Sequence, residues 1–217
     1  MFRKLLCTFL SVCIIFSSSV YSYASEIESF ESISPSVCTG ILTSSNGEEY
    51  IIYGTKVDNE QRSISNNSSI TYRYDLPASI MATGTSSVNS PDSGYVSTVY
   101  LTVNYTHRNN QSEYLLTSIS GSWVISDYQA SVQSAYLNAG CNCDLPLVSN
   151  QRIEDRAVSN NFYINTIFST YIAQDYGIMG AYLTLNYIIG SSRTWSFTLD
   201  NTIFDNSFLS PGDFLNA

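Results

Sequence analysis

The chain has 217 residues, with nine basic groups, eighteen acidic groups and one histidine, for a net charge of −9. That balance repels the phosphate backbone and no basic stretch offsets it, which argues against nucleic acid as a partner. It disfavours anionic lipid for the same reason. Seventeen tyrosines are the one compositional excess.

Residues 1–24 have the form of an export signal. Arg3 and Lys4 supply the positive start, Leu5 to Phe16 the short apolar run, and Ser22-Tyr23-Ala24 the small residues of a cleavage site before Ser25. The apolar run is well short of the roughly 20 residues a spanning helix needs, so no transmembrane segment is expected in the mature chain. Removing residues 1–24 takes two basic groups and no acidic one. That leaves 193 residues with seven basic against eighteen acidic groups, a charge of −11. Such a length suits one β-sandwich with a sizeable core. The expected division is a flexible arm over 25–36, a single β-sandwich domain over 37–210 and a tail over 211–217.

The first hairpin is expected around Ser45-Asn46-Gly47-Glu48, because Asn-Gly tolerates the positive φ of a tight turn. Its arms are Cys38 to Thr43 and Tyr50 to Val57. Asp58 to Ser69 is a polar loop, Ile70 to Tyr74 alternates as a strand, and Ala78 to Ser93 is a connection or ragged edge strand.

The clearest unit runs from Gly94 to Asp127. Val99, Leu101, Val103 and Tyr105 share one face, and Thr98, Tyr100, Thr102 and Asn104 share the other. The polar cluster His107 to Gln111 breaks the pattern before a second arm, Tyr114 to Ile119. Ser120-Gly121-Ser122 is expected to turn the chain into a third arm, Trp123 to Ile125. Ser131 to Leu137 alternates weakly and leads into a Gly140-Cys141-Asn142-Cys143 turn closed by Pro146. Gln151 to Arg156 concentrates charge and suggests a helical turn or solvated loop. Phe162 to Ile172 is apolar with mixed spacing, and Phe162, Ile164, Thr166 and Phe168 in it fit a strand better than a helix. Tyr182 to Tyr187, YLTLNY, differs from Tyr100 to Tyr105, YLTVNY, at one position, and Thr194 to Leu199 follows it with Trp195, Phe197 and Leu199 on one face. With no long amphipathic helix, the fold class is all-β: an open antiparallel β-sandwich of short strands and hairpins.

No catalytic constellation stands out. The single histidine, His107, falls at a hairpin mouth, no Gly-x-Ser-x-Gly elbow surrounds a serine, and zinc lacks its four ligands. No cofactor and no metal are expected. Two carboxylates would suffice for a glycosidase and can come from anywhere in the chain. Tyr100, Tyr114 and Tyr182 fall on the polar faces of their strands. Tyrosine offers a ring and a hydroxyl at low entropy cost, so these three are the candidate ligand-binding residues. In an exported chain the cysteines left after cleavage, Cys38, Cys141 and Cys143, suggest a long-range bridge from Cys38 to one of the other two.

The string Tyr114 to Trp123, the Ser126-Asp127 after it, the Gly140-Cys141-Asn142 turn and the Trp195 to Leu199 arm resemble a pattern in uncharacterised small secreted proteins of Gram-positive bacteria. The resemblance covers roughly residues 96–206. It implies export, a bacterial host and a β-rich fold, and it singles out Cys141 as the partner of Cys38. It transfers no activity. The expected role is therefore a secreted, extracellular, non-enzymatic module recognising a surface glycan or protein. A polysaccharide hydrolase using a carboxylate pair is the alternative, and a pore-forming toxin the weaker one.

Overall fold

The computed structural model of the protein describes residues 38–57, 66–81, 94–144 and 147–206. The expected export signal, the expected 25–36 arm and 211–217 tail, most of the expected Asp58 to Ser69 loop and most of the expected Ala78 to Ser93 connection lie outside those residues. The described part is an antiparallel sandwich of two sheets packed together.

In sheet A the order is β2 (Glu49–Tyr53), β1 (Thr39–Ser44), β12 (Arg193–Asp205), β11 (Gly177–Ile189), β7 (Ala130–Cys143) and β8 (Arg152–Ala157). In sheet B it is β10 (Ile172–Ala173), β6 (Glu113–Ile125), β5 (Tyr95–Arg108), β4 (Asn67–Pro77) and β3 (Thr55–Val57). β9 (Phe162–Asn165) pairs along the same outer edge of β6 as β10. A four-residue helix, α1 (Ala78–Met81), follows β4, and a 3₁₀ turn, Gln174–Tyr176, precedes β11.

The two near-identical hexapeptides lie in the middle strands of opposite sheets, β5 and β11, each with the expected facing. Leu101, Val103 and Tyr105 meet Leu183, Leu185 and Tyr187 in one core, where Tyr72, Tyr74, Tyr187 and Phe197 are the largest fully buried rings. Trp195, Phe197 and Leu199 are buried on one face of β12, as their spacing predicts.

One residue lets the chain change sheets. β2 lies in sheet A and β3 in sheet B, and Gly54 alone separates them. Its N–H donates to the Cys38 carbonyl at 2.8 Å, and a Cβ there would meet the Tyr74 ring at 2.7 Å. The Asn46-Gly47 turn forms as expected, but only Gly47 takes a positive φ, 86°, and Ser44 N–H donates to Glu48 O at 2.9 Å. The loop is thus three residues long, closed by a glycine bulge rather than by a type I′ pair.

Three expected turns are instead strand or edge. Ser120-Gly121-Ser122 continues β6, because Gly121 stays extended and leaves room for the Phe162 ring, 2.7 Å from where its Cβ would sit. Gly140-Cys141-Asn142-Cys143 ends β7 as strand, paired residue by residue with Gly177 to Gly180. The charged run at Arg152 to Arg156 is the edge strand β8, where alternating charge guards a sheet margin. Gln151, buried just before it, fastens the following loop: its Nε2 donates to Cys141 O and Thr170 O, and its Oε1 accepts from the N–H groups of Ser169 and Thr170.

Candidate functional site

Alternation along the strands of sheet A puts one set of side chains in the core and the other on an outer face. That outer face is built in rows that run straight across the sheet. One row is Glu49, Thr43, Ser196, Asn186 and Ser134; the next is Ile51, Ile41, Thr198, Thr184, Tyr136 and Ala157. A third places Asp200, Tyr182 and Asn138 side by side. Short polar side chains in register bond to each other: Thr184 and Thr198 hydroxyls lie 3.0 Å apart, and Asn186 Nδ2 donates to Ser134 Oγ at 2.9 Å. Asn138 Nδ2 donates to Asp155 Oδ1, and Asp155 N–H returns a bond to Asn138 Oδ1.

Asp200, on this face, is held away from its ordinary protonation range. Its neighbours across and along the strand crowd out water, and this desolvation pushes it up to about 6. Hydrogen bonds from the hydroxyl and N–H of Thr202 oppose the rise, and the charge of Asp205 adds to it. Thr202 Oγ1 donates to Asp200 Oδ1 at 2.6 Å, and Tyr182 Oη lies 3.4 Å from Thr202 Oγ1. Burial and the Asp200 charge raise Tyr182, so its phenol stays a neutral donor. Among the described residues no Lys, Arg or His forms an ion pair with Asp200. Perturbed carboxyls set among oriented donors mark functional sites more often than chance, and this is the candidate.

Asp205 joins the same face through a bulge. Asp200 and Asp205 are an odd number of residues apart, so a regular strand would point them to opposite sides. Opposite β11, however, Thr202 pairs with Gly180 and Phe204 with Met179, leaving Ile203 as an extra residue. The bulge restores Asp205 to the outer face.

The three candidate tyrosines are not brought together. Tyr182 is on the outer face of sheet A, in the site just described. Tyr100 is half-buried on the outer face of sheet B, opposite Arg73 and Ser122. Tyr114 is only 6% exposed: it faces the core, with its ring 5.8 Å from Tyr105 and 5.1 Å from Phe204. The cause is again a bulge. Asn104 pairs with Ser118 and Tyr105 with Leu116, so Thr117 is the extra residue and reverses the facing of everything before it in β6.

The expected bridge from Cys38 to Cys141 is not present; no disulfide joins any of the three cysteines. Cys38 leads into β1 and Cys141 lies in β7, three strand steps away in the order β1-β12-β11-β7. At ~4.8 Å per step that is about 14 Å, twice the ~7 Å between Cα atoms that a disulfide tolerates. Burial pushes the Cys38 thiol up to about 11 and the Cys141 thiol up to about 12, so both stay protonated and unreactive.

Among the described residues no group of three or more His, Cys, Asp or Glu is placed to hold a metal ion, and no helix is long and apolar enough to cross a membrane. No family model matches the chain, and neither a curated protein nor a solved structure matches it.

Two outcomes test this geometry. Mapping of unreduced protein will place Cys38, Cys141 and Cys143 in unbridged peptides, with thiols reactive only after unfolding; a Cys38–Cys141 peptide would contradict the strand order. The second concerns Asp200. A carboxyl raised in the folded state contributes most below its unfolded value near 4, and that contribution is lost as pH climbs through about 6. Asp200→Asn will therefore be more stable than wild type at pH 7, on the order of 2 kcal/mol after allowance for solvent screening, with the advantage fading below pH 4. Identical urea midpoints for the two proteins across pH 4 to 7 would show that Asp200 titrates normally.

Proposed function

We propose that the protein is a secreted, non-enzymatic recognition module of a Gram-positive cell surface, and that it binds a neutral polysaccharide on the outer face of sheet A. The observation that carries the reading is the continuous lattice of Tyr182, Tyr136, Asn138, Asn186, Thr184, Thr198 and Asp200, held in register across neighbouring strands. Rings flanked by amides and hydroxyls match a polyol, which offers apolar C–H faces and many O–H groups. No Lys or Arg lies among these residues, and the chain is strongly acidic, so anionic polymers are disfavoured. The export signal and the resemblance noted above support the location.

The hydrolase reading gains one observation, the bulge that puts Asp200 and Asp205 on a common face. Spacing counts against it. Asp200 pairs with Tyr182 and Asp205 with Ile178, four residues along β11, or about 13 Å at ~3.3 Å per residue. Glycosidase carboxyl groups stand about 5 to 10 Å apart, so side chains rooted about 13 Å apart on the backbone would have to lean toward each other. A pore would need a lipid-facing surface, and the apolar faces of β5 and β11 are already packed against each other.

Retention of the purified protein on neutral wall polysaccharide tests the proposal. Tyr182→Ala is expected to weaken retention about tenfold, the loss of roughly 1.4 kcal/mol of ring contact, while Tyr100→Ala leaves it intact. Absence of binding to every wall fraction would remove the reading, as would loss of binding in Tyr100→Ala alone.

A further inference from the structure

The edges of the two sheets are guarded unequally. β8 carries Arg152, Glu154, Asp155 and Arg156 and pairs with β7 through an irregular register. β3 is three residues long and contains Lys56, while β9 and β10 have four and two residues. Charge, shortness and irregularity are the devices that stop a sheet edge from pairing with another chain. β2, with sequence EYIIY, has no Lys, Arg, Pro or bulge, and its one charge, Glu49, stands at its end. It exposes Ile51 at 62% and Tyr53 at 66%, beside Ile41 at 47%. Among the described residues nothing pairs with its outer edge.

The backbone phase of β2 is fixed by two bonds. Gly54 N–H donates to Cys38 O, and Ser44 N–H to Glu48 O. In an antiparallel ladder the bonding direction alternates along the strand, so the even-numbered residues face β1. Glu49, Ile51 and Tyr53 therefore direct their N–H and C=O groups to the outer edge, away from β1.

We propose that this edge pairs with the same edge of a second copy, antiparallel, about a two-fold axis at Ile51. In that register Ile51 meets Ile51 of the second copy, Tyr50 meets Ile52, and Glu49 meets Tyr53. All three outward-bonding residues then find outward-bonding partners. No like charges meet in this register: each Glu49 carboxylate faces a tyrosine hydroxyl, a neutral donor, rather than another carboxylate. The two Glu49 residues lie four positions apart, about 13 Å, beyond the ~8 Å Debye length at physiological salt. A two-fold axis normal to the sheet keeps both outer faces on one side, joining two six-stranded sheets A into a single twelve-stranded one. The pairing does not depend on the polysaccharide reading, and it would give that face two adjoining copies of its site, with the avidity that follows.

Five paired residues a side make a small interface, so the dimer is expected in the micromolar range rather than the nanomolar. Sedimentation velocity of the purified protein without ligand is the test. Wild type will show concentration-dependent dimerisation. Ile51→Lys, at an exposed position, will remain monomeric with an unchanged melting curve. Ile51→Pro, which removes an N–H directed away from β1, will do the same. The register has its own readout. Under mild oxidation Ile51→Cys will form a disulfide-linked dimer, while Tyr53→Cys, whose two copies would lie about 13 Å apart, will not. A wild-type protein that stays monomeric to about 100 µM would overturn the proposal. So would an Ile51→Lys variant that associates like wild type, or cross-linking through Tyr53→Cys.

Discussion

The side chain of Asn201 sets the relation of the two sheets. It is wholly buried in β12, and its Nδ2 reaches across the core to donate to the carbonyls of Ile70 and Leu101 in β4 and β5, at 3.1 and 2.9 Å. Its Oδ1 has no partner. Two hydrogen bonds contribute about 1 kcal/mol each, and one orphaned buried acceptor costs about 1 to 3, so the net effect on stability is near zero. What the amide supplies is register. A slip of β12 by one residue would turn Asn201 to solvent and bury Asp200 in an apolar core. Two further contacts across the core agree with it: the Tyr74 hydroxyl bonds to the Asp200 carbonyl, and Tyr187 Oη lies 3.2 Å from Ser97 Oγ.

Fixing β12 in this way fixes the outer face as well, since alternation leaves Thr198, Asp200 and Thr202 no other side. The same strand carries the clamp on its inner face and the raised carboxyl on its outer one. Each neighbour adds a layer: β11 brings Tyr182 opposite Asp200, and β7 brings Asn138 opposite Tyr182. The site is thus a property of sheet register more than of any one residue. Its carboxyl is raised to about 6 chiefly because the surrounding side chains keep water from it, with the charge of Asp205 adding to the rise.

The sequence made the sandwich legible because the strongest alternating runs, Val99 to Tyr105 and Trp195 to Leu199, are regular. It failed wherever a bulge reverses the facing. Nothing in Thr117 or Ile203 announces that it is the extra residue, yet the first puts Tyr114 into the core and the second brings Asp205 to the surface. Glycine misled for a related reason. Gly121 and Gly140 look like turn residues, but each sits within a strand; at Gly121 the missing side chain makes room for the Phe162 ring. The cysteine pairing was out of reach because strand order, not chain separation, decides which residues meet. Tyr182 keeps the outward facing that its alternation predicts, since its strand is regular where it meets Asp200.

The outer face of sheet A is the surface on which we propose that ligand binds. Mapping backbone amide shifts by NMR on adding a soluble neutral oligosaccharide from the retained wall fraction tests it most directly. Shifts are expected only at Ser134 to Asn138, Tyr182 to Asn186 and Ser196 to Thr202. Shifts centred instead on Arg73, Tyr100 and Ser122, on the outer face of sheet B, would contradict it.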